Sequence, residues 1–188
     1  MNTKIREIMV DLETMGTGTN SAIVAIGAVD SNGVSFGYTV SLESCIDAGL
    51  EMDASTVLWW LQQSDEARRI FAKDVPRAPL KEALSVFSEF VLGIPDPTTK
   101  RGQVRLWGNS AAFDLGLLGN AYDKLKMNRP WKYWEEACYR TLKNLRRDIP
   151  QGPIVGVKHN AVDDARSQLV HLQKLLAATQ QSENSEKV

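Results

Sequence analysis

The sequence predicts a single α/β domain with a mixed sheet, in which an N-terminal antiparallel meander precedes parallel strands flanked by helices. Two β-rich runs come first, over residues 5–13 and 22–30, and a Ser-Asn-Gly turn leads from the second into an alternating run over 34–42. This is the pattern of a β-hairpin. Helical periodicity and short apolar runs alternate through the rest of the chain, an order typical of α/β domains.

The later elements are predicted from spacing and from the residues that begin and end them. In chain order they are helices over 57–63, 67–72 and 79–93, a loop over 94–102, a strand over 104–107, a helix from about 113, a short strand within 131–139, and helices over 141–147 and 160–178. Ser55 or Thr56 is expected to cap the first helix and Ser64 the second. Pro79 and Gly93 mark the start and the end of the third helix.

Length and composition fit one globular domain. The chain has 188 residues, of which 43% are apolar and 24% are charged, and these values exclude wholesale disorder and collagen-like repeats. We expect one domain over residues 1–178 and a polar, disordered tail over 179–188. Because the sequence has neither an 18-residue apolar run nor an apolar secretory signal, we expect a cytoplasmic protein without a membrane partner. Two cysteines are too few for a disulfide framework.

Charge is distributed unevenly along the chain. Residues 1–99 carry 7 basic against 14 acidic side chains, whereas residues 100–147 carry 11 against 4. A basic stretch in an acidic chain suits a protein that contacts phosphates along one groove. The alternative, which charge alone leaves equally open, is that these side chains only solvate helix faces. The basic residues of 100–147 and Lys158 are therefore candidates for backbone contacts with a nucleic acid.

Two acids end the first predicted strand. Asp11 and Glu13 are two residues apart, so their side chains point to the same face of a strand. An isolated Asp-x-Glu pair is most simply interpreted as the polar, solvent-exposed end of a strand. The apolar residues just before the pair indicate a buried strand instead, where crowded carboxylates either gain protons or hold cations. Clusters of oxygen ligands select hard ions such as magnesium or manganese.

Three further polar residues occur at predicted element boundaries. Asp114 follows the strand over 104–107, and His159 precedes Asp164 by about one helical turn at the start of the last helix. Each has an ordinary explanation when taken alone, as a first-turn acid or a surface histidine. Asp163 points about 100° away from Asp164 around the helix, and we interpret it as a capping or solvated acid.

Taken together, the motifs resemble the DEDDh branch of the DnaQ-like 3'→5' exonucleases, which have an RNase H-like fold with a central five-stranded mixed sheet. Asp11-Leu-Glu13-Thr matches the first motif of that family, Phe113-Asp114 the second, and His159 followed by Asp164 the third. The motifs occur in the family's order. The segments around them look most like small phage and prophage exonucleases, including those of the exonuclease VIII type. One departure is Asn109, which stands five residues before Asp114 where the commoner pattern has four.

The resemblance implies a metal-dependent phosphodiester hydrolase. Such a reaction needs a deprotonated water and neutralisation of the charge on the phosphoryl oxygens, which two Mg²⁺ or Mn²⁺ ions can provide. The resemblance assigns the ions to four carboxylates and the water's proton to His159, whose ordinary pKa suits that role near neutral pH. The metal ligands so implied are Asp11, Glu13, Asp114 and Asp164.

Other residues are candidates for contacts with the substrate. Trp59 and Trp60 are adjacent on a predicted helix, so their side chains point about 100° apart. One is expected in the core, and the other can stack on a base; burial of both is an equally open alternative. The remaining candidates border the motif acids and are Leu12, Thr14, Met15, Phe113 and Lys158.

The preferred interpretation is a 3'→5' exonuclease that acts on single-stranded ends and releases nucleoside 5'-monophosphates. DNA is favoured over RNA by the phage-like resemblance, and an exoribonuclease or short-RNA trimmer is the main alternative. A non-catalytic nucleic-acid-binding protein is less favoured, because it leaves His159 without a role. A homodimer is a further expectation taken from relatives.

Overall fold

The computed structural model of the protein describes residues 5–93 and 104–185. The predicted loop over 94–102 lies outside these residues. Within them, no helix combines the length and the apolar character that a membrane span requires.

A mixed sheet forms the centre of the described part of the chain, as predicted. Its strands are β1 (Arg6–Thr14), β2 (Ile23–Asp30), β3 (Ser35–Thr39), β4 (Val104–Gly108) and β5 (Glu136–Cys138). Their order in the sheet is β3-β2-β1-β4-β5. The first three strands pair antiparallel, and β4 and β5 continue the sheet in parallel with β1. The predicted N-terminal meander and the parallel strands after it are therefore confirmed.

Helices cover both faces of the sheet, which explains why β1 and β2 are apolar on both sides. The helices of the described chain are α1 (Leu42–Asp47), α2 (Ala54–Leu61), α3 (Asp65–Arg68), α4 (Leu80–Leu92), α5 (Gly116–Lys124), α6 (Tyr139–Leu145) and α7 (Ala161–Ser185). Ile8 and Val10 of β1 belong to the larger core cluster together with side chains of α4 and α5. Met9 points to the opposite face and packs in a second cluster with Leu169 and Leu172 of α7.

Several elements differ from the sequence prediction, including α1, which was not predicted, and α3, which begins at Asp65 and not at residue 67. The third strand ends at Thr39, because Ser41 caps α1 by accepting a hydrogen bond from the Ser44 N–H. Helix α2 begins at Ala54, so its N-cap position is Asp53 and neither Ser55 nor Thr56. The prediction that placed the cap at those residues was wrong, since both already lie within the helix.

The last helix also differs from the prediction. It continues beyond residue 178 and ends at Ser185, so the part of the predicted tail up to that residue is helical. The residues after 178 include neither Gly nor Pro, and polar side chains such as Gln and Glu are good helix formers once a helix has been nucleated by packing.

Gly27 fixes the approach of α7 to the sheet. It pairs with Asp11 across the β1–β2 ladder, and a Cβ atom at this position would overlap the backbone of Ala161 and Val162 at the start of α7. We expect Gly27→Ala to displace the helix and to lower the free energy of unfolding by about 1–3 kcal/mol, measured by urea denaturation. Gly18→Ala is the matched control, because the added methyl would meet nothing within 4 Å. Equal unfolding free energies for the two variants would contradict this account.

Candidate active site

The residues of the three sequence motifs meet in one cavity. Its volume is about 370 Å³, and it lies where β1, the segment after β4 and the start of α7 come together. The predicted catalytic and metal-binding residues that line it are Asp11, Glu13, Asp114, His159 and Asp164. Positions separated by up to about 150 residues in the sequence are therefore adjacent in the folded chain.

Strand β1 brings two of the acids into the cavity. Asp11 and Glu13 lie on the same face of the strand as Met9, the face that α7 covers. Glu13 is only 7% exposed. The β1–β2 register shifts between Glu13 and Thr14, so the irregularity in the ladder falls directly after the acidic pair. Bulges of this kind are frequent beside functional sites because they redirect the chain.

Asp114 reaches the cavity from a widened helical turn. Residues Ala111–Leu115 form a π-helical turn that runs into α5, and the Ser110 N–H donates a 2.9 Å hydrogen bond to Asp114 Oδ2. A π turn accommodates one more residue than an α turn. This explains the longer spacing between Asn109 and Asp114 noted in the sequence, since the extra residue is absorbed by the turn while both residues line the cavity.

His159 and Asp164 are joined through the backbone. The His159 N–H donates a 2.9 Å hydrogen bond to Asp164 Oδ2, and His159 adopts a positive φ of 62°, a conformation uncommon for a residue other than glycine. The imidazole also packs edge-to-face on Trp59, with ring centroids 5.1 Å apart. The histidine is thus held both by an acid of α7 and by an aromatic ring of α2.

The loop before His159 is tied to α7 at two further points. The Val157 N–H donates to Asp163 Oδ2 at 2.9 Å, and the Val155 N–H donates to Ser167 Oγ at 2.8 Å. Asp163 also pairs with Arg166. The interpretation of Asp163 as a capping or solvated acid is therefore incomplete, because this side chain holds the loop that carries His159.

The electrostatics of the cavity favour a cation. Burial, together with the charges of the neighbouring acids, raises the pKa of Asp11 well above its usual value and that of Glu13 to about 8. Burial also raises the pKa of Asp114 to about 6 and that of Asp164 above its ordinary range. Carboxylates that repel one another in this way release protons when a cation binds.

The donor atoms are suited to a divalent ion. One ligand atom each from Glu13, His159 and Asp164 lies within 4.8 Å of the other two, and Asp11 and Asp114 line the same cavity. Carboxylate oxygens are the ligands that Mg²⁺ and Mn²⁺ prefer. The chemistry and the spacing of these side chains fit the ions that the sequence motifs imply.

The raised pKa of Glu13 predicts how stability depends on pH without metal. Its ordinary value is 4.5 and its folded-state value about 8, so between these pH values the folded protein holds a proton that the unfolded chain has released. In EDTA, we expect the free energy of unfolding to be at its full value when the pH is below 4.5, the ordinary pKa of Glu13. It should fall as the pH rises towards about 8, by about 1.4 kcal/mol per pH unit for each such proton.

Urea denaturation across this pH range checks the expectation, with Glu13→Gln as the comparison. The variant carries no ionisable group at this position and should show a flatter pH dependence. Excess Mg²⁺ should flatten the wild-type curve as well, because an ion that binds the charged cluster favours the deprotonated folded state. A wild-type protein whose stability in EDTA rises over this pH range would contradict the argument.

A second cavity adjoins the acidic one and contains most of the predicted substrate residues. Its volume is about 390 Å³, and both cavities are lined by Leu12, Glu13 and Phe113. The predicted substrate contacts that line the second cavity are Leu12, Thr14, Trp59, Trp60 and Phe113. Lys158 is exposed and lines the acidic cavity instead.

Trp59 and Trp60 follow the alternative in which one ring lies in the core and the other is accessible. Trp60 is 3% exposed, and its indole N–H donates a 3.0 Å hydrogen bond to the Thr14 carbonyl. Trp59 is 41% exposed and contacts His159. Trp60 is therefore a core residue that is hydrogen-bonded to the end of β1, the strand that carries Asp11 and Glu13. The ring of Trp59 is accessible to solvent.

Met15 is the one predicted substrate residue that neither cavity contains. Its side chain is buried in the larger core cluster, because the chain has left the β1 ladder at this point and the Met15 N–H pairs with the Ala22 carbonyl. Met15 is thus a core residue, and the structure gives no support to the prediction that it contacts the substrate.

The basic stretch contributes little to the cavity itself. Among the described residues of 100–147, Arg140 lines the acidic cavity, while Arg129 and Arg146 form surface ion pairs with Asp123 and Asp148. For these two arginines, the alternative interpretation holds, in which basic side chains of this stretch only solvate the protein surface.

Sequence reasoning missed several residues that line the acidic cavity, and Gln168 is the one that contacts a motif acid. Gln168 lines the acidic cavity and donates a hydrogen bond to Asp11. Its position four residues after Asp164 puts it on the same face of α7. That spacing was the available signal, but a lone glutamine in a helix carries no chemical motif.

Comparisons with known proteins agree with the motifs. The family model of the 3'-5' exoribonuclease Rv2179c-like domain matches residues 6–176. A relative, the exodeoxyribonuclease of Enterobacteria phage T4, is 25% identical over 206 aligned positions, which cover 90% of this chain and 88% of the phage protein.

Solved structures share the fold. Exonuclease I without ligand has a TM-score of 0.60 and 15% identity, over 94% of this chain and 42% of that protein. The nuclease domain of 3'hExo, a DEDDh family member bound to rAMP, has a TM-score of 0.59 and 10% identity, over 94% of both chains. The match with exonuclease I covers less than half the length of that protein. These likenesses confirm the predicted RNase H-like fold.

Proposed function

Because the chain belongs to the family of 3'-5' exoribonuclease Rv2179c-like domains, we propose that it removes nucleotides one at a time from the 3' end of a single-stranded nucleic acid and releases nucleoside 5'-monophosphates. The exonuclease family predicted from the motifs is thereby confirmed. The observation that carries the proposed reaction is the meeting of Asp11, Glu13, Asp114, His159 and Asp164 in one cavity. We propose Mg²⁺ or Mn²⁺ as the metal.

The acids are proposed to hold the metal and His159 to accept a proton. Asp11, Glu13, Asp114 and Asp164 supply the carboxylate ligands. When bound, two divalent ions supply a water of lowered pKa and positive charge beside the scissile phosphate. Burial, with the Lys158 charge, lowers the pKa of His159, so its imidazole is neutral near pH 7 and a ring nitrogen can take the water's proton. The bond that breaks joins the phosphorus to the 3' oxygen of the preceding nucleotide.

The second cavity is proposed to receive the terminal nucleotide. It joins the acidic cavity through Leu12 and Phe113 and is mainly apolar, with Trp59 and Trp60 in its wall. Apolar and aromatic side chains pack on any base without reading its sequence. Lys158 and Arg140 line the acidic cavity and are proposed to contact phosphates.

DNA is the preferred substrate class in this proposal. The supporting observation is the phage T4 relative, which matches nearly the full length of this chain and is named an exodeoxyribonuclease. RNA is the second candidate, because the description of the family names an exoribonuclease. The cytoplasmic location and the homodimer expected from the sequence stay predictions.

A time course with matched DNA and RNA strands, labelled at either end, tests the proposal. We expect a 5'-labelled strand to shorten progressively, a 3'-labelled strand to lose its label as a mononucleotide at once, and both reactions to require Mg²⁺ or Mn²⁺. Faster loss of the DNA strand supports the preferred substrate, and faster loss of RNA supports the second. Binding without any product over hours in Mn²⁺ would overturn the proposed activity in favour of a nucleic-acid-binding protein.

A further inference from the structure

Gln168 connects α7 directly to the acidic strand. It lies one helical turn after Asp164 and is 8% exposed. Its side-chain amide Nε2 donates a 2.8 Å hydrogen bond to Asp11 Oδ1. A buried hydrogen bond to a carboxylate is among the stronger polar contacts in proteins, and it holds both partners in one geometry.

The other amide atom of Gln168 has no partner in the protein. Among the described residues, three buried side-chain nitrogen or oxygen atoms lack a hydrogen bond: Arg68 Nε, Asn109 Oδ1 and Gln168 Oε1. Asn109 and Gln168 both line the acidic cavity. An unsatisfied buried acceptor costs about 1–3 kcal/mol, so two of them beside one cavity point to a partner that binds there.

A purely structural role does not account for this side chain. The buried residues of α7 near Gln168 include the apolar Leu169 and Leu172 and the polar Ser167 and His171. The side chains of Ser167 and His171 have hydrogen-bond partners within the protein, whereas Oε1 of Gln168 has none. An apolar side chain at position 168 would fill the same space between helix and sheet without burying an unpaired amide oxygen, but Oδ1 of Asp11 would then lose its donor. The amide is needed only if Asp11 must be held in one orientation and if the free oxygen finds a donor.

We propose that Gln168 is a positioning residue for the metal site: it holds Oδ1 of Asp11 through Nε2, and its Oε1 accepts a hydrogen bond from a water of the bound ion. This inference rests on the proposed function, since it requires a divalent ion at the acidic cluster. Residues that orient metal ligands typically contribute 10- to 100-fold to metal affinity. Gln168 is therefore assigned to the affinity of the site for metal and has no contact with the substrate in this scheme.

The test is the affinity for Mn²⁺ of the full chain without nucleic acid, measured by isothermal titration calorimetry. Gln168→Met removes both amide atoms at nearly constant length, and we expect it to weaken Mn²⁺ binding by about tenfold or more. Gln173→Met is the matched control, because it makes the same chemical change on the exposed side of α7. This control should bind Mn²⁺ as the wild type does.

Activity adds a second readout. The Mn²⁺ concentration that gives half-maximal rate should rise in Gln168→Met, while the KM for the oligonucleotide at saturating Mn²⁺ stays within twofold of the wild-type value. If Gln168→Met does not fold, Gln168→Asn replaces it, since its amide is one methylene too short to reach Asp11 from the same backbone position. The weaker Mn²⁺ binding is expected for this variant too.

The outcomes separate the two proposals. A folded Gln168 variant whose Mn²⁺ affinity lies within twofold of the wild type overturns the inference, even if its melting temperature is lower. If the wild-type protein itself neither binds Mn²⁺ nor degrades a strand, the proposed function fails instead. If the wild type does both and only the Gln168 variants lose metal affinity, both proposals stand.

Discussion

Asp11→Asn should abolish exonuclease activity, with turnover lower by about three orders of magnitude, or ~4 kcal/mol in the activation barrier. Asparagine occupies nearly the same volume, so the packing of β1 against α7 is preserved. The substitution removes a negative charge from the centre of the acidic cluster, where burial and neighbouring acids raise the pKa of Asp11. The loss is therefore chemical, because the amide is a much weaker ligand for a divalent ion.

The same substitution should stabilise the protein in EDTA. In the metal-free protein near pH 8, burial and the neighbouring acids make the charged form of Asp11 unfavourable, and a neutral amide at this position removes that cost. We expect the Asp11→Asn protein to have a higher melting temperature than the wild type under these conditions. A single change that destroys activity and raises stability is the signature of a site whose charges serve binding and not folding.

The measurements are a labelled-strand assay in Mg²⁺ and thermal unfolding in EDTA. Asp47→Asn is the control, since Asp47 is an exposed acid at the end of α1 and should leave both quantities unchanged. An Asp11→Asn protein that degrades the strand at the wild-type rate would remove the basis for the proposed active site.

The parts of the fold that local patterns determine could be predicted from sequence. The strands and the hairpin follow from alternation and a turn signal, and α4 follows from Pro79 and Gly93, which stand at its two ends in the structure. The motif acids could be identified because strand ends and helix starts constrain where their side chains point. Their meeting in one cavity was implied by the resemblance to the DEDDh exonucleases, because each motif taken alone has an ordinary explanation.

The details that depend on packing between distant elements could not be predicted. The bond from Gln168 to Asp11 links α7 to β1, and the contact of Trp59 with His159 links α2 to the loop before α7. Neither follows from spacing along the chain, because each depends on how closely a helix approaches the sheet. Met15 was predicted as a substrate residue because it borders the motif acids, but β1 ends at Thr14 and the Met15 side chain packs in the larger core cluster.

His159→Asn should lower turnover by about 10²- to 10⁴-fold, the usual contribution of a general base. Asparagine is the informative replacement because His159 has a positive φ, and asparagine tolerates this conformation better than alanine does. The backbone N–H that donates to Asp164 is then retained. What is lost is the ring nitrogen that accepts the proton, so turnover should fall while the KM for the strand changes little.

The decisive comparison is between turnover and metal affinity. A ring nitrogen of His159 lies within 4.8 Å of ligand oxygens of Glu13 and Asp164, so the geometry also allows the imidazole to bind the ion. If His159 acts as the base, the His159→Asn protein should bind Mn²⁺ within a few-fold of the wild-type affinity. Lys126→Asn is the control for backbone effects, because Lys126 is the other described non-glycine residue with positive φ and lies at the exposed end of α5. Equal losses of turnover and Mn²⁺ affinity in His159→Asn would make His159 a metal ligand and leave the proton to another acceptor.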